Sequence, residues 1–170
     1  MDAHAHFGLL ARYGAWATRK LYQHVDALTD DEYRRDAGLF FKSVHGTLNH
    51  LLMAEHQLWH VRFAEGRSPS LKLNAEVETD RERLRERLFE ASEAWGPLIA
   101  AWPAQRFEGR LDYVSTEGVQ RSLPFAPTLA HVFNHGTHHR GQINAAITAL
   151  DHECAELDLL FLIMAEARKA

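Results

Sequence analysis

The segment TLAHVFNHGTHHRGQINAAITAL, from Thr128 to Leu150, decides the fold class of this chain. Its apolar and small residues recur at intervals of three and four, the spacing that places side chains on one face of an α-helix. That face consists of Leu129, Val132, Gly136, His139, Ile143, Ala146 and Leu150. The pattern predicts a long helix, capped by Thr128, that carries a histidine within its apolar face.

Two histidines of this helix are placed to share one ligand. His139 occupies a core position, and His135 lies four residues earlier, about 40° round the same face. Imidazoles at this spacing can bind one metal ion, with nitrogens about 2.0–2.1 Å from it. A lone histidine on an apolar face is more often a neutral core residue, but burying two unpaired rings is costly and favours a metal site. His131 and His138 project further from this face and are expected at its rim.

Helical periodicity predicts three more long helices. They span Phe7–Leu28, a segment from the N-cap Ser43 towards Gly66, and a segment from near Thr79 or Asp80 to Trp102. Thr29 and Glu32 form a capping-box pattern that opens a short helix. Within the third long segment, the pair Gly96–Pro97 is expected to kink or divide the helix.

The segment between the third and fourth long helices has a different period. Residues Phe107–Phe125 alternate between apolar and polar side chains, and Ser115, Glu117 and Gly118 fall where a turn is needed. A β-hairpin is therefore predicted before the fourth helix. A last apolar helix follows, but it is too short to span a bilayer. The fold class is all-α, a four-helix bundle with a small β-hairpin insertion, in a single domain over residues 1–170.

A third metal ligand must come from another helix, and the second long helix offers His45, His50, His56 and His60. His50 lies near the inward side of this helix, whereas His56 is expected between the core and solvent. Periodicity by itself does not choose among the four.

Composition restricts the function further. The chain has 12 histidines, a formal net charge of -4 and one cysteine. The charge argues against nucleic acid as the main partner. Cys154 cannot form an internal disulfide and is expected to be a buried structural thiol in a cytoplasmic protein. No signal peptide or membrane span is recognisable, so the chain is expected to be soluble.

Several other catalytic sites are excluded by their motifs. None of the 12 histidines has a Glu three residues before it, as the di-iron bundles require. The chain also lacks His-Glu-x-x-His, Gly-x-Ser-x-Gly, a phosphate-binding Gly-Lys-Ser/Thr loop and Gly-x-Gly-x-x-Gly.

The sequence resembles the DinB/YfiT-like superfamily. Phe133–Ile143, FNHGTHHRGQI, is similar to the family signature His-x-x-x-His-Arg-Gly-Gln. ARYGAWATRKL resembles the Tyr-x-x-Trp-Ala helix near the N-terminus, LNHLLMAEHQLW the second helix, and LDLLFLIM the Asp-Leu-Leu ending. The matches occur in the same order as in the family and cover most of the chain.

The resemblance implies a particular ligand set, His50, His135 and His139, and a zinc, nickel or iron ion. It also implies an antiparallel four-helix bundle, often a homodimer. Members of known chemistry include transferases and isomerases that use low-molecular-weight thiols, and others are described as metal-dependent hydrolases. The expected partners are therefore a small-molecule substrate, for which a low-molecular-weight thiol is one candidate, and a second copy of the chain. Neither nucleic acid nor a membrane is expected as a partner.

Three neutral imidazoles leave a divalent ion with at least one open position, which is typical of catalytic sites. The first hypothesis is a metal-dependent enzyme that activates water or a small thiol. Glu55, one turn beyond His50, is a candidate for a catalytic base or a ligand-orienting group, and equally for a carboxylate that supports a metal-binding histidine or lies on the surface. Asn49 and Asn134 are candidates to support the ligands, and Arg140 is expected to form a structural ion pair. The alternative is a non-catalytic metal- or ligand-binding protein, in which a fourth side chain closes the site.

A homodimer is expected on a second ground. Tyr13 and Trp16 lie off the apolar face of the first helix, so that helix is apolar on more than one side. Exposed aromatic patches on monomers are unusual unless a partner covers them. Burial of both rings by other helices of the same chain is the alternative.

Overall fold

A computed structural model describes residues 2–72 and 74–168 of the chain, which form a mostly helical protein with one β-hairpin. The elements are α1 Ala3–Val25, α2 Asp30–Arg34, α3 Val44–Leu51, a π-helical segment Leu52–Trp59, α4 His60–Glu65, α5 Arg81–Glu93, α6 Trp95–Ala101, a 3₁₀ helix Ala104–Glu108, β1 Arg110–Val114, β2 Gln120–Pro124, α7 Phe125–Ala149 and α8 Leu159–Ala167.

The predicted helix starts at Ser43, Thr29 and Asp80 are confirmed. Ser43 Oγ accepts a hydrogen bond from Gly46 N at 3.0 Å, and Asp80 Oδ1 accepts one from Arg83 N. Thr29 and Glu32 form both bonds of the capping box. The third long segment is divided as predicted, although the break lies at Ala94, just before the Gly–Pro pair.

The start of α7 differs from the sequence prediction. The helix begins at Phe125, so Thr128 lies within its first turn and is not the N-cap. The Thr128 hydroxyl donates a hydrogen bond to Pro124 O at 2.7 Å, one turn earlier in the chain. A threonine hydroxyl can bond the preceding turn as well as cap a helix, and the sequence pattern does not distinguish the two roles.

The predicted β-hairpin is present. Strands β1 and β2 are antiparallel, with Leu111 opposite Leu123, and Gly118 adopts φ 77° in the connecting turn. On β1, Leu111 and Tyr113 face the protein interior and are buried. The hairpin therefore packs its inner face against the helices.

The second long helix contains an irregularity that the sequence did not predict. Residues Leu52–Trp59 are π-helical and join α3 to α4 in one continuous helical run. The run ends at Gly66, which adopts the left-handed φ of 69° that favours glycine. π-Helical turns are rare, and they are frequent at functional sites.

Helix α7 connects the two main parts of the hydrophobic core and contacts α1, α3, the π-helical segment and both strands. Phe133 belongs to the aromatic-rich part beside the hairpin, and Ile143 belongs to the aliphatic part around α3 and α5. Three of the four α7 histidines, His135, His138 and His139, lie between these two residues. None of the described helices combines the length and apolar character needed to cross a bilayer.

The C-terminal segment covers the outer side of α1. Tyr13 is buried beside Leu162 of α8, and its hydroxyl donates to Leu157 O at 2.7 Å; Trp16 is partly buried in the same cluster. The C-terminal segment of the same chain therefore buries Tyr13 and covers Trp16 in part. Cys154 is exposed in the connection before α8, so the prediction of a buried structural thiol is wrong.

Candidate metal centre

The three predicted ligands come together from two helices. His50 lies at the end of α3, and His135 and His139 lie one turn apart on α7. The Nε2 atom of His135 is 3.1 Å from Nε2 of His50 and 3.1 Å from Nε2 of His139. Within the described ranges, no other group of three or more His, Cys, Asp or Glu side chains has metal-binding spacing.

This spacing fits one metal ion. Two nitrogens bound at 2.0–2.1 Å in a tetrahedral arrangement lie about 3.3–3.4 Å apart, so a small outward movement of the rings is enough. The donor set, three imidazoles with no carboxylate or thiolate, is suited to zinc, nickel, copper or iron rather than to magnesium or calcium.

Neighbouring side chains fix which ring nitrogen of His135 and of His139 faces the centre. His139 Nδ1 donates to the amide oxygen of Gln142 at 2.7 Å, and His135 Nδ1 donates to Glu55 Oε1 at 3.4 Å. Both partners are oxygen acceptors, so the protons reside on the Nδ1 atoms and the Nε2 lone pairs remain for a ligand. Supporting groups of this kind are a general feature of metal-binding histidines.

His50 is oriented by a ring contact. The Phe41 ring stacks on the His50 imidazole with centroids 3.8 Å apart and planes at 17°. Phe41 is held by a tight turn in which Lys42 adopts φ 70°, and its carbonyl oxygen lies against Gly46 at the start of α3. A Cβ at position 46 would be 2.1 Å from that oxygen, so glycine is required for this packing.

Glu55 is a buried carboxylate rather than a surface residue, since the π-helical segment turns it towards α7. Burial would raise the pKa of Glu55, but the hydrogen bond from His135 and the positive charge of Arg140 outweigh it, so that the pKa lies below its usual value. Glu55 is therefore ionised and bonds the outer nitrogen of a candidate ligand. It lies behind His135, not among the converging Nε2 atoms.

Arg140 does not form the expected ion pair with any residue that the structure describes. Arg140 is buried, its Nε has no acceptor among the described residues, and its guanidinium carbon lies 5.6 Å from the centre of the Tyr13 ring. Its charge acts on Glu55 from beyond ion-pair distance. Both side chains approach Gly136, where a Cβ would be 2.4 Å from Glu55 Oε1 and 2.9 Å from Arg140 Nη1.

The two asparagines do not support the ligands. Asn49 anchors the loop before α5, because its Oδ1 accepts from Val77 N and Glu78 N, both at 2.9 Å. Asn134 is exposed and lines a different cavity, between α1 and the segment before α8.

His56 was expected between the core and solvent; the residue is of intermediate exposure, but its ring lies further inside than expected. Its side chain is buried, and its Nδ1 accepts a hydrogen bond from Trp95 Nε1 at 3.2 Å. Burial lowers the pKa of His56 to about 4, so the ring is neutral beside Glu55. A helical wheel assumes a regular α-helix, and the π-helical turns between His50 and His56 remove that regularity. No signal in the sequence identified these turns.

The remaining α7 histidines are at the rim, as predicted. His131 and His138 are both exposed, with ring centroids 5.9 Å from His135 and 5.0 Å from His139 respectively. Burial and the neighbouring His135 lower the pKa of His139 to about 4, which keeps this candidate ligand neutral near pH 7.

Two cavities reach the histidines. One, of about 420 Å³, is lined by His50, His135 and residues of the hairpin. The other, of about 720 Å³, adjoins His50 on the side of Phe41 and the loop near Glu76. Small molecules could thus approach the centre from either side of His50.

The chain belongs to the DinB family, whose match covers residues 1–169. It is 22% identical over 167 residues to Protein DinB of Bacillus subtilis (strain 168), an alignment that covers 95% of this chain and 96% of that protein. No solved structure matches the chain.

Proposed function

We propose that the protein is a metal-dependent enzyme of the hydrolase or thiol-transferase type, with one divalent ion held by His50, His135 and His139. The observation that carries the proposal is the convergence of three Nε2 atoms whose α7 members are locked by Glu55 and Gln142. The Nε2 atom of His135 lies 3.1 Å from those of both His50 and His139, and a bound cation would stabilise three nitrogen atoms that face one point.

The chemistry follows from the donor set. When bound, a zinc, nickel or iron ion at three neutral imidazoles lowers the pKa of a water to about 7 or holds a thiol as its thiolate. Glu55 and Gln142 fix the orientation of the His135 and His139 rings, and Phe41 fixes that of His50. The cavities on either side of His50 give a small substrate access to the same point.

A closed structural site is the competing function. It needs a fourth protein ligand, and the metal-spaced group within residues 2–72 and 74–168 contains the three histidines alone. Glu55, the nearest carboxylate, bonds the opposite nitrogen of His135 and does not face the centre. These observations favour an open coordination position, and with it catalysis.

The proposal extends to the architecture. We propose that α1, the run from α3 to α4, the pair α5–α6, and α7 form the antiparallel four-helix bundle implied by the family resemblance. Contacts of α1 with α5, α6 and α7, and of α7 with α3, support it.

We also propose a homodimer, on the basis of the family resemblance. With Tyr13 of the first helix buried and Trp16 partly covered, α8 still exposes the large apolar residues Leu160, Ile163 and Met164. Light scattering at low micromolar concentration should give about twice the chain mass of 19.4 kDa. A single species at the chain mass would overturn the dimer without affecting the metal site.

The test of the metal centre begins with elemental analysis of the untagged protein as purified. We expect one equivalent of a divalent metal per chain, which should be lost in His139→Ala. The matched variant is His138→Ala, at the exposed position just before His139, and it should retain the metal. Helical circular dichroism should be similar in all three proteins. A full equivalent of metal in His139→Ala would remove that residue from the site. Turnover assays with common cellular thiols then test the reaction class.

A further inference from the structure

The cavity on the hairpin side of the centre contains a second functional group, Arg62. The cavity has a volume of about 420 Å³ and lies between the π-helical segment, α4, the hairpin and α7. Besides His50 and His135, its walls include Trp59, Arg62, Tyr113, Ser115, Arg121 and His131. A molecule in this cavity can therefore touch the candidate metal ligands and Arg62 at the same time.

Arg62 is held rigidly. Its guanidinium carbon lies 4.5 Å from the centre of the Trp59 ring and 4.4 Å from that of the Tyr113 ring. Nε donates to Ser68 Oγ at 2.8 Å, and the residue is only 6% exposed. Two aromatic rings that contact each other edge to face, together with one hydrogen bond, hold the guanidinium in place before any ligand arrives, which lowers the entropic cost of binding.

The charge of Arg62 is only partly offset by the protein, through the negative charge of Glu117 acting from beyond ion-pair distance. Among the described residues, no carboxylate forms an ion pair with it, and its two terminal amino groups make no hydrogen bond. Glu117 also lines the cavity, but it is exposed and accepts a hydrogen bond from Thr116 Oγ1. Arg121 adds a second cation to the same wall. A buried guanidinium whose terminal N–H groups have no acceptor is well suited to binding an anion.

We propose that Arg62 binds the anionic end of the substrate, a carboxylate or phosphate group, while the other end reaches the three-histidine centre. A planar guanidinium recognises either group through paired hydrogen bonds. The inference rests on the proposed function for the reactive end of the substrate. The substrates are then small anionic molecules, and Arg62 determines the specificity for their anionic end.

The first experiment uses protein loaded with cobalt(II), whose thiolate charge-transfer band reports thiol binding. The probes are 3-mercaptopropionate and its neutral analogue 3-mercaptopropanol. Wild type should bind the acid about ten- to hundredfold more tightly than the alcohol, the range expected for hydrogen bonds to a charged group. The ratio should fall to about one in Arg62→Met and to an intermediate value in Arg62→Lys.

The matched control is Arg106→Met. Arg106 also packs its guanidinium on an aromatic ring, 4.4 Å from the centre of Phe125, but it does not line the cavity. This variant should keep the wild-type ratio. An equal affinity of wild type for the two thiols, or an undiminished ratio in Arg62→Met, would overturn the proposal.

A second experiment needs no metal and separates the inference from the proposed function. The thermal midpoint of metal-free protein is measured with glutarate or inorganic phosphate against chloride at constant ionic strength. At least one anion should stabilise wild type and Arg106→Met but not Arg62→Met, because only a ligand of the folded state raises the midpoint. Stabilisation by glutarate indicates a site for carboxylates, and stabilisation by phosphate indicates a site for phosphate groups. No effect of either anion on wild type contradicts the role of Arg62, even if metal binding is normal. An effect that depends on Arg62 in a protein that binds no metal would retain the anion site and refute the metal centre.

Discussion

Substitution of Gly136 by alanine tests the contact between the metal centre and its buried support. The new methyl group would lie 2.4 Å from Glu55 Oε1 and 2.9 Å from both Glu55 Oε2 and Arg140 Nη1. Because carbon and oxygen cannot approach so closely, the carboxylate must move, and movement lengthens its hydrogen bond to His135. The variant therefore perturbs Glu55 without changing a charge or a ligand.

Two opposing effects set the magnitude. Alanine is more favourable than glycine within a helix by about 1 kcal/mol. Crowding in a packed interior costs about 1–3 kcal/mol, so the net change in the free energy of unfolding is about 0–2 kcal/mol of destabilisation. Loss of a support behind a metal-binding histidine typically weakens metal affinity by about 10–100-fold.

The control lies on the same helix. Gly141 is exposed, and a Cβ there would meet no atom within 4 Å, so Gly141→Ala should stabilise the protein by up to about 1 kcal/mol. The two variants should thus differ by about 1–3 kcal/mol in denaturant unfolding of metal-free protein, and metal competition titrations should show a loss of affinity in Gly136→Ala only. Equal stability and equal metal affinity in the two variants would refute the close contact between Gly136 and the Glu55 carboxylate.

Further predictions concern the support of the ligands and the effect of pH. Glu55→Gln should keep the fold but weaken metal binding by about 10–100-fold in a competition titration; an unchanged affinity would show that the carboxylate does not support His135. Phe41→Ala should weaken metal binding by about 2–10-fold, the value of one aromatic contact, whereas Phe40→Ala, at a position 80% exposed, should not. The pKa values of His56 and His139, lowered to about 4, mean that the folded metal-free protein binds fewer protons than the unfolded chain. Its stability should therefore fall as pH decreases from about 6.5 to 4, by about 3 kcal/mol for His56, whose side chain is buried. Since protons compete with the ion, the increase in thermal midpoint caused by metal should shrink as pH falls from 6 to 5; a chelator effect equal at pH 8 and pH 5 would contradict histidine ligation.

Local patterns predicted much of this molecule. The spacing of His135 and His139 predicted their convergence, because both side chains depend only on the geometry of one regular helix. The caps at Ser43 and Asp80 and the hairpin before α7 were equally local, and they are present. Interactions within about one turn of chain can be inferred without knowing the tertiary structure.

What the residues alone did not predict depends on tertiary contacts or on irregular backbone. Periodicity left four histidines of the second helix as candidates, and the family resemblance chose His50. The positions of Glu55 and His56 follow from π-helical turns, for which the sequence carries no recognised signal. The lack of an ion pair between Arg140 and the other described residues, and the exposure of Cys154, depend on which segments pack nearby, and no periodic pattern predicts that.

The separation of the ligands along the chain connects metal binding with the order of folding. His135 and His139 are four positions apart, whereas His50 and His135 are 85 positions apart. A two-histidine site can form as soon as α7 is helical, but the third ligand is added only when α3 docks against it. An ion bound by all three residues acts as a reversible cross-link that closes this long loop, and closing a loop of this length in an unfolded chain costs about 4–5 kcal/mol of entropy. If the three histidines bind an ion as proposed, tight binding is a late event in assembly, and release of the ion is expected to accompany the first separation of α3 from α7.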